Sequence, residues 1–142
     1  MCRHVAYQGP PVPLSSLLFD PPHSLAHQAW APREMRGSGT VNVDGFGVGW
    51  FPDRHGPPLR HRRAQPIWTD ADLRELAGRT VAGTALAAVR SASAGMALSA
   101  AACAPFAGDG WLFSLNGRVA GWPDSVAELA GQLPVTDLLT LD

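Results

Sequence analysis

The sequence predicts an α+β domain built from short elements, and three observations carry that expectation. Glycine and proline are frequent, 15 and 13 of 142 residues, which favours many turns over a helical bundle. Asp44-Gly45-Phe46-Gly47-Val48-Gly49-Trp50-Phe51 alternates large apolar side chains with glycine at the two-residue period of a strand. Thr80 to Val89 is small, β-branched and apolar throughout, as expected of a strand buried on both faces.

The length suffices for one domain with its own core. A net charge of −1 and 46% hydrophobic residues exclude a disordered chain and a general nucleic-acid binder. No basic N-terminal region leads into an apolar run, and no apolar segment is long enough to span a bilayer. A soluble cytoplasmic protein without nucleic-acid or membrane partners is expected; the sequence sets no oligomeric state. Two distant cysteines, Cys2 and Cys103, make neither a disulfide framework nor a metal-ligand set.

In chain order, Cys2 to Gln8 reads as a strand ended by Gly9-Pro10-Pro11. Leu14 to Phe19 is a brief apolar turn of helix or strand, stopped by Asp20-Pro21-Pro22. His23 and His27 have the spacing of two ligands on one helix face, but no third ligand is evident, and hydrogen-bonded or solvent-facing histidines fit better. Arg33 to Thr40 reads as a surface loop. In the 44–51 strand, Phe46, Val48 and Trp50 share one face. The other is glycine, which admits a backbone or a ligand at close range. A dinucleotide fingerprint fails there, because its third glycine would fall at Trp50 and no helix follows.

Arg54 to Arg63, with Arg60-His61-Arg62-Arg63, reads as a solvated hairpin flank, too short and too poor in aromatics for a phosphate-binding surface. Thr69 is the expected N-cap of a helix over Asp70 to Ala77, stopped by Gly78. Arg90-Ser91 follows the buried strand. An arginine there can fork onto a substrate carboxylate or onto a structural partner, and position alone does not choose. Met96 to Pro105 is irregular, with Cys103 an inert small hydrophobe. Trp111 to Ser114 is a further strand. Ser125 and Glu128 form a capping box for a helix ended by Gly131, and Asp137 to Asp142 opens another apolar element.

The chemistry centres on Cys2. Removal of Met1 would leave Cys2 with a thiol and a free α-amine, which titrates near pH ~8 and can accept the thiol proton. Asn116 and Gly117 offer a side-chain and a backbone N–H as a candidate oxyanion hole, each such donor being worth about 2.7–4 kcal/mol in the transition state. A type I′ hairpin turn is the competing reading of Asn-Gly.

Four stretches occur in the order found in class II glutamine amidotransferases: Cys2-Arg3-His4, Asn42-Val43-Asp44-Gly45-Phe46-Gly47, Ala87-Ala88-Val89-Arg90-Ser91-Ala92 and Leu115-Asn116-Gly117. The chain resembles that family of N-terminal-nucleophile hydrolases over essentially its whole length. Leu18-Phe19-Asp20-Pro21-Pro22-His23 and Ala104-Pro105-Phe106 add a likeness to the γ-glutamyl hydrolases of ergothioneine biosynthesis.

The resemblance implies an αββα sandwich with the active site at the sheet ends, residues 1–142 forming the N-terminal portion of one amidotransferase-type domain. It implies that Cys2 attacks a γ-glutamyl amide to give a thioester that water hydrolyses, releasing glutamate. Arg90 would bind the substrate α-carboxylate, and Asn116 and Gly117 would form the oxyanion hole. The implied substrate is γ-glutamyl-hercynylcysteine sulfoxide, with no metal and no organic cofactor. Two departures stand beside it. Leu115 replaces the histidine common before Asn-Gly, a change expected to affect packing more than chemistry. Family members are longer and carry, after Asn-Gly, an acidic residue for the substrate α-amine. Asp137 and Asp142 lie too close to the motif to replace it, so a chain incomplete at its C-terminus is expected. A glutaminase feeding ammonia to a synthase, and an inactive truncated remnant, are the alternative readings.

Overall fold

The computed structural model describes residues 2–34, 41–53 and 56–139. Residues 35–40 of the expected surface loop, Arg54 of the hairpin flank and Asp142 lie outside them.

Strand β4, Val81–Val89, is central to the larger sheet. It pairs antiparallel with β1 (Arg3–Pro13) and with β2 (Phe46–Trp50), and β2 pairs with β3 (Leu59–Arg63), giving the order β1-β4-β2-β3. Val89 stands opposite both Arg3 and Phe46, so the start of β1, the start of β2 and the end of β4 meet at one end of the sheet.

The two faces of β2 explain the layers. Phe46, Val48 and Trp50 enter a core with Leu14, Leu18, Leu25, Ala29, Leu73 and Ala77, contributed by and around α1 (Ser15–Leu18), α2 (Leu25–Trp30) and α3 (Ala71–Arg79). The glycine face meets backbone at Gly47 and side chains at Gly49. A Cβ at Gly47 would lie 2.3 Å from the Ala104 carbonyl oxygen, and one at Gly49 would lie 2.8 Å from Pro105 Cγ and 2.9 Å from Leu112 Cδ2. Helices, the four-stranded sheet and a two-stranded sheet of β5 (Phe106–Gly108) and β6 (Trp111–Phe113) therefore stack in that order. Helices α4 (Ala127–Ala130) and α5 (Val135–Leu139) follow.

Several boundaries differ from expectation for identifiable reasons. Gly9-Pro10-Pro11 does not end β1. The strand runs on to Pro13 through a register shift between Gln8 and Val12, because an edge strand tolerates residues that lack an N–H. The expected flank of β3 is partly engaged: Arg62 NH1 donates to the Ala101 and Cys103 carbonyls at 3.2 and 3.5 Å. Ser125 lies within a 3-10 turn (Asp124–Val126) and makes no cap hydrogen bond to α4, although Gly131 does end that helix.

The cap of α3 is Asp70, not Thr69, and the helix runs through Gly78 to Arg79. Asp70 wins because its side chain has two jobs. It accepts the Leu73 N–H at 2.9 Å and pairs with His61 Nε2 of β3 at 2.8 Å, so it ties helix to sheet. Burial pushes its carboxyl up, but the hydrogen bonds from His61 and Leu73 and the charges of His61 and Arg63 together hold it below the ordinary value of 3.8. A depressed carboxylate stabilises the fold fully above that value, and the stabilisation disappears as pH falls through the folded-state pKa. Asp70→Ala is therefore expected to cost about 1–2 kcal/mol at neutral pH, and the gap from wild type should narrow well below pH 3.8. Urea unfolding at pH 7 and pH 3 measures both; a gap unchanged at low pH would show that the carboxylate charge contributes nothing.

Candidate active site

Cys2 precedes β1 at the sheet end where β4 finishes, and its side chain is part-buried. Its sulfur accepts the Ser91 N–H at 3.4 Å, and its S–H donates to the Ser91 carbonyl at 3.6 Å. The nucleophile candidate is thus seated against the first peptides beyond β4.

The segment after β6 reaches the same place. His4 Nδ1 lies 3.4 Å from Ser114 Oγ, and Asn116 Nδ2 donates to the Cys2 carbonyl at 2.8 Å. Asn116-Gly117 is not a hairpin turn. A type I′ turn needs positive φ at both central residues, and among the described residues positive φ occurs only at Gly45, Gly95, Gly110 and Gly121. The β5–β6 connection is made instead at Asp109-Gly110, where Gly110 has φ +79°. Gly117 follows Asn116 with only Leu115 near its Cβ position, and Leu115 is itself 56% exposed, so little packing depends on the residue that replaces histidine.

Arg90 is buried at 8% exposure. Its NH1 donates to the Asp44 carbonyl at 3.4 Å, while its NH2 has no hydrogen-bond partner among the described residues. Among the described residues no carboxylate lies within ion-pair distance of it; the ion pairs there are His61–Asp70 and Glu75–Arg79. A structural salt bridge, one of the two readings of this arginine, is therefore not made by any described residue. A buried guanidinium left uncompensated is costly, and an anion with two oxygens would match its fork.

Asp44 links these parts, and sequence reasoning assigned it no role. Its N–H donates to the Arg90 carbonyl at 3.1 Å and the Arg90 N–H donates to Gly45 at 2.8 Å, extending the β2–β4 ladder beyond the strands. Its carboxylate accepts the Ala92 N–H at 2.8 Å. Asn42, fully buried nearby in sequence, has no hydrogen-bond partner among the described residues for either side-chain amide atom.

Cys103 sits beneath the same loop. It is fully buried, and its S–H faces the carbonyls of Arg63 and Ser99, each at 3.4 Å. Burial pushes its thiol upward, against the opposing charges of Arg90 and Arg62, so the group stays protonated. The contact explains Gly45. A Cβ there would lie 2.3 Å from Cys103 Sγ and 2.9 Å from the Arg63 carbonyl, at a φ of +126°, which only glycine adopts without strain.

His23 and His27 form an edge-on aromatic contact at 6.1 Å, and His27 continues to Trp30 at 5.0 Å. Among the described residues no group of three or more His, Cys, Asp or Glu side chains is placed to hold a metal ion, and no helix is long and apolar enough to cross a membrane. An open groove of about 380 Å³ lies along Ala6–Gln8, Thr84–Leu86 and Gly110–Leu112. Its β1 residues start four positions from Cys2, roughly 13 Å away at ~3.3 Å per strand residue, so it is separate from the cysteine cluster.

Comparison with known proteins gives the chain's relatives. The chain is 44% identical over 119 residues to γ-glutamyl-hercynylcysteine sulfoxide hydrolase of Mycolicibacterium smegmatis, covering 84% of this chain and 52% of that protein. It is 42% identical to the protein of the same name from Mycobacterium tuberculosis, covering 84% of this chain and 50% of that one. A probable glutamine amidotransferase of Saccharomyces cerevisiae, DUG3, is 33% identical, with 86% of this chain and 36% of that protein covered. A solved glutamine aminotransferase class-II domain protein from Silicibacter pomeroyi superposes with a TM-score of 0.53 at 26% identity, over 89% of this chain and 41% of that one. No protein-family model matches the chain. The chain spans about half the length of the curated relatives it matches. It is similar in sequence to these hydrolases, and its mixed α/β fold with an antiparallel sheet is similar to that of the class II domain protein.

Proposed function

We propose that residues 1–142 form the N-terminal portion of a class II amidotransferase-type domain that hydrolyses γ-glutamyl amides through Cys2. The observation that carries this reading is the meeting at one sheet end of three groups from distant parts of the chain. These are the Cys2 sulfur, the Asn116 amide 2.8 Å from the Cys2 carbonyl, and a buried Arg90 with one unpartnered nitrogen.

In the proposed cycle the Cys2 α-amine, free once Met1 is removed, takes the thiol proton. The sulfur adds to the γ-carbonyl carbon, and the developing oxyanion is received by an N–H of Asn116 and by the Gly117 backbone N–H. The protonated α-amine then gives its proton to the departing amine as the C–N bond breaks, leaving a γ-glutamyl thioester. Water adds to the thioester, its proton passing to the α-amine; the C–S bond breaks, the thiolate regains its proton, and glutamate leaves. Arg90 binds the α-carboxylate of the glutamyl group bidentately. The names of the mycobacterial relatives support γ-glutamyl-hercynylcysteine sulfoxide as the substrate, and that of the yeast relative supports glutamine as a second one. We place the protein in the cytoplasm, where a reducing environment keeps both thiols free.

A glutamine-mimicking diazo-ketone tests the assignment, applied to the complete reading frame and followed by peptide mapping. Label on the N-terminal peptide alone is expected, because Cys103 is buried and protonated. Label at Cys103, or none at Cys2, would sink the nucleophile assignment.

A further inference from the structure

Asp44 lies two residues before β2, opposite the exit of β4, and among the described residues its carboxylate makes a single hydrogen bond, from the Ala92 N–H at 2.8 Å. The peptides on both sides of Ser91 are fixed, the one that carries the Ser91 N–H by main-chain bonds and the one that carries the Ser91 carbonyl by the Asp44 carboxylate. Arg90 N–H is held by Gly45 at 2.8 Å, Arg90 C=O by Asp44 N–H at 3.1 Å, and Ala92 N–H by the Asp44 side chain. The Ser91 N–H between them has no freedom to turn away, and it points at Cys2 Sγ from 3.4 Å.

We propose that Asp44 is a positioning residue that seats the nucleophile: its carboxylate pins the Ser91–Ala92 peptide, whose carbonyl lies 3.6 Å from Cys2 Sγ, and so holds Ser91 in place with its backbone N–H 3.4 Å from the sulfur as the thiolate forms. This inference rests on Cys2 being the nucleophile. A backbone donor costs no side-chain ordering when the reaction occurs, but it works only if the adjacent peptides are anchored. The anchoring of Arg90 is different in kind. It uses the Asp44 carbonyl at 3.4 Å, which every substitution at position 44 retains. Loss of the carboxylate should therefore reach Cys2 and spare the arginine.

The experiment alkylates the 142-residue chain with iodoacetamide at fixed neutral pH and follows both cysteines by mass spectrometry. Cys103, fully buried beneath Gly45, reports in the same sample whether the fold is intact. In Asp44→Ala, Cys2 is expected to react roughly five- to tenfold more slowly, the worth of about one hydrogen bond, with Cys103 still protected. Asp44→Asn keeps an oxygen facing Ala92 and should restore most of the rate. Asp44→Glu keeps the charge but moves it by one methylene and should behave like alanine; it decides the question if the alanine variant exposes Cys103. In the complete reading frame the alanine variant should lower kcat and leave KM nearly unchanged. Cys2 alkylated at the wild-type rate in the folded Ala or Glu variant, or an Asn variant as slow as alanine, overturns the positioning role alone. Failure of the diazo-ketone to label wild-type Cys2 removes both this inference and the nucleophile reading beneath it.

Discussion

Replacing Cys2 by alanine is expected to lower hydrolysis of a γ-glutamyl amide by at least ~10⁴-fold, the scale of losing a nucleophile, while Cys103→Ala stays within a few-fold of wild type. The contrast follows from where the two thiols sit. Cys2 is part-buried, faces the Ser91 N–H and is approached by the Asn116 amide. Cys103 is fully buried, faces carbonyl oxygens and is pushed upward by that burial. The same logic covers processing. With Met1 retained, residue 2 has an amide nitrogen and no internal base, so a form blocked at its N-terminus should lose about 10²–10⁴-fold in turnover, the usual contribution of a general base. Steady-state assays on the two variants and on blocked and free forms of the complete reading frame measure these effects. Equal turnover of blocked and free forms would transfer the base role to another group, with His4 the first to examine.

The layer order was legible in the sequence because one strand advertises two different neighbours. Phe46, Val48 and Trp50 announce a side-chain core, and Gly45, Gly47 and Gly49 announce close approach on the other face; that approach is made by the Ala104 backbone, Pro105 and Leu112. Strand β5 was not legible, since Phe106-Ala107-Gly108 offers one bulky residue between a proline and a glycine, whereas β6, of equal length, is apolar throughout as Trp111-Leu112-Phe113. The proline-rich end of β1 misled for a related reason. Proline reports the local loss of a donor, whereas whether the donor is needed depends on β1 being an edge, which is set by topology. Asp70 displaced Thr69 as a cap because it also pairs with His61, a residue contributed by another element.

The site divides in the same way. Cys2, Arg90 and Asn116 stood out by residue type at strand ends, and the sheet register brings their segments together. Asp44 and Ser91 did not stand out. Asp44 reads in sequence only as the start of the alternating stretch 44–51, and Ser91 contributes only its main chain, which no side-chain motif can announce. The hairpin reading of Asn116-Gly117 failed on backbone conformation, because the positive φ belongs to Gly110.

Arg90→Lys is expected to separate substrate recognition from stability. The lysine keeps a positive charge but loses the planar fork that would grip a carboxylate with two parallel hydrogen bonds. The loss should appear mainly in KM, with kcat/KM reduced by about 2–4 kcal/mol, or roughly 30- to 700-fold. Folding should change little. Among the described residues no carboxylate pairs with Arg90, its NH2 has no hydrogen-bond partner, and its one side-chain bond, to the Asp44 carbonyl, can be remade by an ammonium group. Adding glutamate should raise the unfolding midpoint of the wild-type protein more than that of the variant, because a ligand stabilises only the state that binds it. Thermal unfolding with and without glutamate, alongside Michaelis constants on one preparation, decides the matter. A variant with a lowered midpoint and an unchanged KM would make Arg90 a structural residue and remove it from the site.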